Sequence, residues 1–157
     1  EKNKNTILLL VGDGELEKEI KEKIEELKLH DAVIILSNRS DVNELMMAMD
    51  IFVFPTLFEG LGIVLIEAQA TGLKCITSDN VPNDVRITDR IHFINLSEKE
   101  KWIKSVEDAK GKVYDRQIDF KTFEENGYDI NTERKKLYDF YNEALGRINR
   151  EKYKKTF

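Results

Sequence analysis

Asp50-Ile51-Phe52-Val53-Phe54-Pro55, followed by Phe58-Glu59-Gly60-Leu61-Gly62-Ile63-Val64-Leu65-Ile66-Glu67-Ala68-Gln69-Ala70-Thr71-Gly72, decides the fold of this chain. The first run is a continuous set of β-branched and aromatic residues closed by a proline, the pattern of a short buried strand. The second opens on glycines, continues as an apolar helix and stops at Gly72. Glu59 therefore falls at the carboxyl end of a strand, and in open α/β sheets ligands bind in the crevice beyond those ends. A helix that begins there offers unpaired backbone N–H groups and a positive dipole end to an anion. Gly60 and Gly62 let the backbone approach a ligand closely. Glu67, eight positions after Glu59, has Ile63, Val64, Leu65, Ile66, Ala68 and Ala70 around it. Its carboxylate must be paired, hydrogen-bonded or facing a cleft, because burying it alone costs several kcal/mol. The plainer reading makes Glu59 an exposed loop residue and Glu67 a helix-surface residue. The strand-end placement, the glycines and the apolar helix favour a ligand site.

The same strand-helix unit recurs on both sides of this segment. Upstream, Thr6 to Val11 reads as a buried strand, Gly12-Asp13-Gly14 as a turn, and Leu16 to Leu29 as a helix with Leu16, Ile20, Ile24 and Leu27 at helical spacing. Ala32 to Leu36 is a second strand, and Ser40 or Asp41 caps a helix carrying Val42, Leu45, Met46 and Met49. Downstream of the third strand, Ile51 to Phe54, and its helix, Gly62 to Thr71, strands are predicted at Lys74 to Thr77 and Ile91 to Leu96. Such alternation implies an α/β fold, a Rossmann-like parallel sheet with helices on both faces and right-handed crossovers. The rest reads as helix. Ser97 caps Glu98 to Ala109, a second helix runs from Phe120 to Asn126, and Asn131-Thr132-Glu133-Arg134 opens a C-terminal helix over 131–157, with Leu137, Tyr141, Leu145 and Ile148 along one side. Its basic end, Arg147, Arg150, Lys152, Lys154 and Lys155, suits the helix macrodipole. Weak attraction to an anionic membrane surface is the second reading.

With 157 residues, one domain that buries roughly 70% of its unfolded surface is expected without disulfides or metals. The charged fraction is 35% and the apolar fraction 41%, as in soluble proteins, and no apolar run reaches the ~18 residues of a membrane span. A net charge of −5 argues against a nucleic-acid partner. Glu1-Lys2-Asn3-Lys4-Asn5 is polar and leads straight into a strand. No signal peptide is visible there, a cytoplasmic location is expected, and the chain reads equally well as a fragment of something longer. Cys75, the only cysteine, reads as a small core residue in a reducing compartment.

Other chemistries fit poorly. Gly12-Asp13-Gly14-Glu15-Leu16-Glu17 follows a strand and opens a helix as a dinucleotide fingerprint does, but Glu17 stands at the third glycine and an acidic first turn repels a pyrophosphate. His30, expected at a helix C-terminus, and His92, expected in a strand, lack metal-ligand spacing with each other or with Cys75. There is no G-x-S-x-G elbow, Walker loop or paired-cysteine motif.

The stretch Pro55-Thr56-Leu57-Phe58-Glu59-Gly60-Leu61-Gly62-Ile63-Val64-Leu65-Ile66-Glu67-Ala68-Gln69-Ala70-Thr71-Gly72 resembles the Glu-x7-Glu signature, P-S-x-x-E-G-F-G-x-x-x-x-E-A-x-A-x-G, of the large retaining glycosyltransferase family with the GT-B fold. Leu10 to Gly14, Val33 to Asn38, Asp41 to Asp50 and Ser78 to Val85 resemble further elements of that family, so the likeness spans residues 6 to about 145. Ser78 to Thr88 is similar in wording to the capsular and exopolysaccharide branch. Thr56, Leu61 and Gln69 replace the family's usual serine, phenylalanine and methionine.

The resemblance implies that this chain is the C-terminal, donor-binding half of a retaining hexosyltransferase of bacterial surface polysaccharide biosynthesis. Glu59 would contact the donor sugar's hydroxyls and stabilise charge at its anomeric carbon, and Glu67 would hydrogen-bond the ribose. Backbone N–H groups around Gly60, Leu61, Gly62 and Ile63 would hold the diphosphate of a UDP- or GDP-sugar, and the base would lie near Asn38, Arg39 and Ser40. No metal cofactor is expected. The family's N-terminal acceptor domain, and the G-R-x-x-x-x-K-G element upstream of the first strand here, have no counterpart in these residues. Its glycan or lipid-linked acceptor would be held by that absent domain. The family's strand order, 3-2-1-4-5-6, leaves a slot between Thr6–Val11 and Ile51–Phe54, so the two pieces are expected to close together or to be covered by another copy of the chain. The isolated chain is expected to be inactive, at the inner face of the plasma membrane if it associates there. A non-catalytic nucleotide-sugar-binding regulator is the alternative, and a nucleotide-sugar epimerase half is a third reading.

Overall fold

The computed structural model describes residues 6–110 and 115–154, with side chains described as far as Gly146. The elements are β1 (Leu8–Val11), α1 (Glu17–Glu26), β2 (Val33–Leu36), α2 (Val42–Ala48), β3 (Ile51–Phe54), α3 (Ile63–Ala70), β4 (Lys74–Ser78), β5 (Ile91–Ile94), α4 (Lys99–Ala109), α5 (Phe120–Glu125) and α6 (Ile130–Lys154), with a short 3-10 turn at Asn83–Val85. The α/β class and the strand-helix alternation follow the sequence reading, and β3 spans the residues expected. No helix among the described residues is long and apolar enough to cross a membrane. The basic residues Arg147 to Lys155 and the apolar Ile148 fall outside the described side chains.

The strands form two parallel sheets, β1-β2 and β3-β4-β5. Leu8 pairs with Val33 and Val11 with Leu36 in the first; Ile51 pairs with Lys74 and Cys75 with Ile91 in the second. The neighbours within each sheet are those of the order 3-2-1-4-5-6 with its central strand left out. Among the described residues, strand pairing stays within these two sheets.

The chain divides between Leu45 and Met46 into two compact units. In the first, α1 turns Ile20, Ile24 and Leu27 toward Leu8, Leu10 and Val33, and these residues line an open apolar cleft. No described residue up to Leu45 is fully buried. One helix on a two-stranded sheet has too few layers for that. The second unit holds the core: Met46, Leu65, Leu73, Cys75, Ile76, Val85 and Ile91 are at most 1% exposed. Each large apolar side chain of this set contributes about 1.5–3 kcal/mol through burial. β4 is the central strand of its sheet, and its burial raises the Cys75 thiol to about 12, as expected of a structural cysteine.

Gln69 holds α3 in place. Its side chain is fully buried, and its amide donates to the carbonyls of Leu65 (3.0 Å) and Val85 (2.8 Å). Its carbonyl oxygen accepts from Ile87 N (3.2 Å), Thr88 N (3.0 Å) and the Thr88 hydroxyl (3.1 Å). The helix is thereby sewn to the loop after β4. At its other end Gly72 has φ 72°, and an added Cβ would lie 2.5 Å from the Arg116 carbonyl oxygen, so glycine is required there for conformation and for space. Arg116 in turn donates to the carbonyls of Met47 (2.9 Å) and Met49, covering the open end of α2.

Two caps differ from the sequence reading. Glu98 stands at the N-cap of α4 without a side-chain bond, because the Ser97 hydroxyl donates to Asn95 Oδ1 at 2.6 Å instead. The cap of α6 is Asp129, whose Oδ1 accepts from Thr132 N at 2.7 Å. That bond, with the Thr132 side chain, holds the Asp129 carboxyl below its ordinary range.

Replacing Gln69 by Leu removes the core partner of the Thr88 amide and leaves the Ile87 amide and the Val85 carbonyl only their bond to each other at 3.0 Å. A loss of about 2–4 kcal/mol is expected in urea unfolding followed by the fluorescence of Trp102, the one tryptophan. For Asp129, the folded value lies below the unfolded one, so its contribution is complete above the ordinary aspartate range and is lost as pH falls through the lowered value. NMR secondary shifts of residues 130–134 should show α6 fraying at its start on acidification, and Asp129→Asn should remove that pH dependence while keeping the cap.

Candidate functional site

β3 leads to the site. Its four residues are half-buried, with Phe52 and Phe54 stacked on one face at 5.8 Å between centroids. Pro55 ends the strand, and its missing N–H removes a ladder donor. Hydroxyls from β4 take over at that point. The Thr77 hydroxyl donates to the Phe54 carbonyl at 3.1 Å, and the Ser78 hydroxyl donates to the Thr56 carbonyl at 2.6 Å. Thr77 and Ser78 are both fully buried, so the exit of β3 is held by groups that cannot exchange their partners for water.

Beyond Thr56 the chain turns outward. Leu57 and Phe58 are 82% and 83% exposed, and Glu59 is half-buried. The Thr56 hydroxyl lies 3.2 Å from Glu59 Oε1 and 3.0 Å from the Phe58 carbonyl oxygen. Gly60 has open space where a Cβ would stand. Gly62, the N-cap of α3, has φ 75°, and an added Cβ would sit 3.4 Å from Leu65 Cδ1 and 3.5 Å from Val81 Cγ1. No side chain caps the helix, so its first amides have no partner of that kind.

α3 sorts its residues by face. Leu65, Ile66, Ala68 and Gln69 are buried, whereas Ile63 and Glu67 are exposed. Glu67 is therefore on the solvent stripe, one turn after Ile63, and its Cα–Cβ bond leans back toward the helix N-terminus. Of the residues expected at the site, Glu59, Gly60, Leu61, Gly62, Ile63 and Glu67 are brought together by one loop and one helix. Arg39 belongs to the first unit. Its guanidinium is already engaged: Nε donates to Asp41 Oδ1 at 2.7 Å and Nη2 to Oδ2. The pair raises Arg39 and lowers Asp41 from their ordinary values, chiefly through that hydrogen bond. It also takes Asp41's carboxylate away from capping α2.

The remaining candidates for chemistry are accounted for locally. His30 Nδ1 lies 3.1 Å from Glu25 Oε1 beyond the end of α1. His92 is exposed on β5, and desolvation, with Lys74 and Arg86 near it, lowers its pKa. Among the described residues no group of three His, Cys, Asp or Glu side chains is arranged to hold a metal ion. The sequence reading did not single out Thr56, Thr77 and Ser78 as a group. Their signal was available, since hydroxyl residues end two neighbouring strands where a proline interrupts the ladder.

Comparison with known proteins adds the family. The chain matches the family described as "Glycosyl transferases group 1" over residues 1–116. It is 46% identical over 78 residues to EpsF of Bacillus subtilis (strain 168), covering 50% of this chain and 20% of that protein. It is 30% identical over 105 residues to the Escherichia coli UDP-Gal:alpha-D-GlcNAc-diphosphoundecaprenol alpha-1,3-galactosyltransferase, covering 65% of this chain and 27% of that protein. Among solved structures it is similar to WaaG, a glycosyltransferase involved in lipopolysaccharide biosynthesis, with TM-score 0.60 and 29% identity over 67% of this chain and 29% of that one. The chain thus spans between a fifth and three tenths of the length of these relatives. With a parallel α/β fold, a glycine turn between two carboxylates and a match over most of its length, the chain belongs to the group 1 glycosyltransferases.

Proposed function

We propose that this chain is the donor-binding half of a retaining hexosyltransferase of surface polysaccharide biosynthesis, taking a nucleoside-diphosphate sugar. The observation that carries the reading is the bracketing of an uncapped helix N-terminus by Glu59 and Glu67, at the carboxyl end of β3. The open amides at Gly62 and Ile63 suit a diphosphate. Glu67, leaning toward the same helix end from the exposed stripe, suits a pair of vicinal hydroxyls such as a ribose. Glu59, half-buried on the preceding turn, suits the sugar's hydroxyls.

In the transfer, the bond from the anomeric carbon to the phosphate oxygen breaks and a bond to an acceptor hydroxyl oxygen forms on the same face. Positive charge on the anomeric carbon is stabilised by the Glu59 carboxylate. Negative charge on the leaving diphosphate is stabilised by the helix amides. No metal ion enters this scheme. The acceptor, a glycan or a lipid-linked sugar, is assigned to a facing domain outside these residues, so the isolated chain binds weakly and does not transfer. Cytoplasmic residence at the inner membrane face, and association of copies through the open edges of the two sheets, belong to the same proposal.

Calorimetric titration with UDP, GDP and their sugars, UDP-galactose first because a relative carries that donor in its name, tests the reading. Glu67→Ala should weaken binding of the bare nucleotide about 10- to 100-fold. Glu59→Ala should leave the bare nucleotide unaffected and reduce transfer by the complete reading frame about 100-fold or more. A chelator should change neither binding nor transfer. Equal behaviour of the two variants would remove the division of roles, and a reading frame without an acceptor-holding region would favour the regulatory alternative.

A further inference from the structure

We infer that Thr56 is a positioning residue for Glu59, held in turn by Ser78, and that this two-hydroxyl chain sets the direction of the carboxylate nearest the sugar. The starting point is how little else holds that carboxylate. Leu57 and Phe58, the two residues before it, are more than four-fifths exposed and bury nothing that could anchor the turn. Gly60, the residue after it, has no side chain and stands in open space. The Thr56 hydroxyl at 3.2 Å is the side-chain partner of Glu59.

Thr56 itself is rigid. Its amide donates to the Phe54 carbonyl at 3.0 Å, and its carbonyl receives the Ser78 hydroxyl at 2.6 Å. Ser78 is fully buried at the end of the central strand β4. The path from the core to Glu59 therefore runs through two hydroxyl groups and one peptide unit. A hydroxyl has a single proton, and Thr56 has two acceptors within reach, the Glu59 carboxylate and the Phe58 carbonyl at 3.0 Å. An ionised carboxylate is the stronger acceptor. When ligand hydroxyls share the charge of Glu59, the Thr56 proton can turn to Phe58 without being stranded, so the carboxylate is aimed before binding and released during it.

The consequence for sugar recognition rests on the donor reading above, whereas the positioning itself does not. Both are tested on the full chain with Thr56→Val, which keeps the shape and removes the hydroxyl, and with Thr56→Ser, which keeps the hydroxyl. Three-bond NMR couplings of the Glu59 methylene protons should report one side-chain rotamer in the unmodified chain and in Thr56→Ser, and an average of rotamers in Thr56→Val. Titration with UDP-galactose and with UDP should show the preference for the sugar-bearing form falling about tenfold in Thr56→Val, with UDP itself unchanged, and recovering in Thr56→Ser. A single Glu59 rotamer persisting in Thr56→Val overturns the positioning role. Failure of the unmodified chain to bind either ligand overturns the donor reading instead, and the couplings then decide the role of Thr56 alone.

Discussion

The buried amide of Gln69 is the interaction on which the second unit depends. It lies inside α3, yet most of its bonds reach outside the helix, to Val85, Ile87 and Thr88 in the loop after β4. A hydrogen-bonded amide in the core gains its advantage from being fully satisfied, and no buried side-chain polar atom among the described residues lacks a partner. Through this clamp Val81 and Val85 are carried against Gly62, where each would be within 3.8 Å of an added Cβ. The packing that fixes the loop thus also fixes the left-handed residue from which the helix starts. Core stability and the aim of the helix N-terminus share one side chain.

The two units contrast in how well they satisfy the same rules. The second has a three-stranded sheet with β4 buried at its centre, and its core residues come from the sheet, α3 and the loop between β4 and β5. The first has the same strand-helix-strand pattern but leaves Ile7, Leu8, Leu16, Leu27 and Ile34 about half exposed. Its sequence is patterned for a larger layer than its own residues supply. Stability in this chain is accordingly expected to be uneven, with the lowest protection in β1, α1 and β2.

Local punctuation was legible in the sequence. Continuous β-branched and aromatic residues before Pro55 marked β3, and Gly62 and Gly72 marked the bounds of α3, because positive φ values near 75° and 72° are costly for any other residue. The cost of burying charge was also correctly weighed. The sequence reading asked that Glu67 be paired, hydrogen-bonded or facing a cleft, and the helix leaves Glu67 exposed and sends the neutral Gln69 inside. Both are polar residues in one apolar stretch, and only the burial of the neighbouring faces decides between them. Caps failed for a related reason. Ser97 and Asp41 are good cap residues on composition, but Asn95 and Arg39 offer each of them a closer partner.

Charge gives the site its remaining constraint. Between Asp50 and Leu73 the chain contains no Lys or Arg, yet it presents Glu59 and Glu67 beside the helix end. A helix N-terminus carries roughly half a positive charge, and its effect is confined to the first turn. That cannot balance a diphosphate carrying about two negative charges together with two carboxylates. A donor held at this turn must therefore bring cations to the phosphates from groups outside the segment. The arrangement is well suited to hydroxyls and to orientation, and poorly suited to affinity. On the proposed donor reading, the carboxylates select the sugar and the ribose, while the strength of binding is set by whatever positive charge is placed over the phosphates.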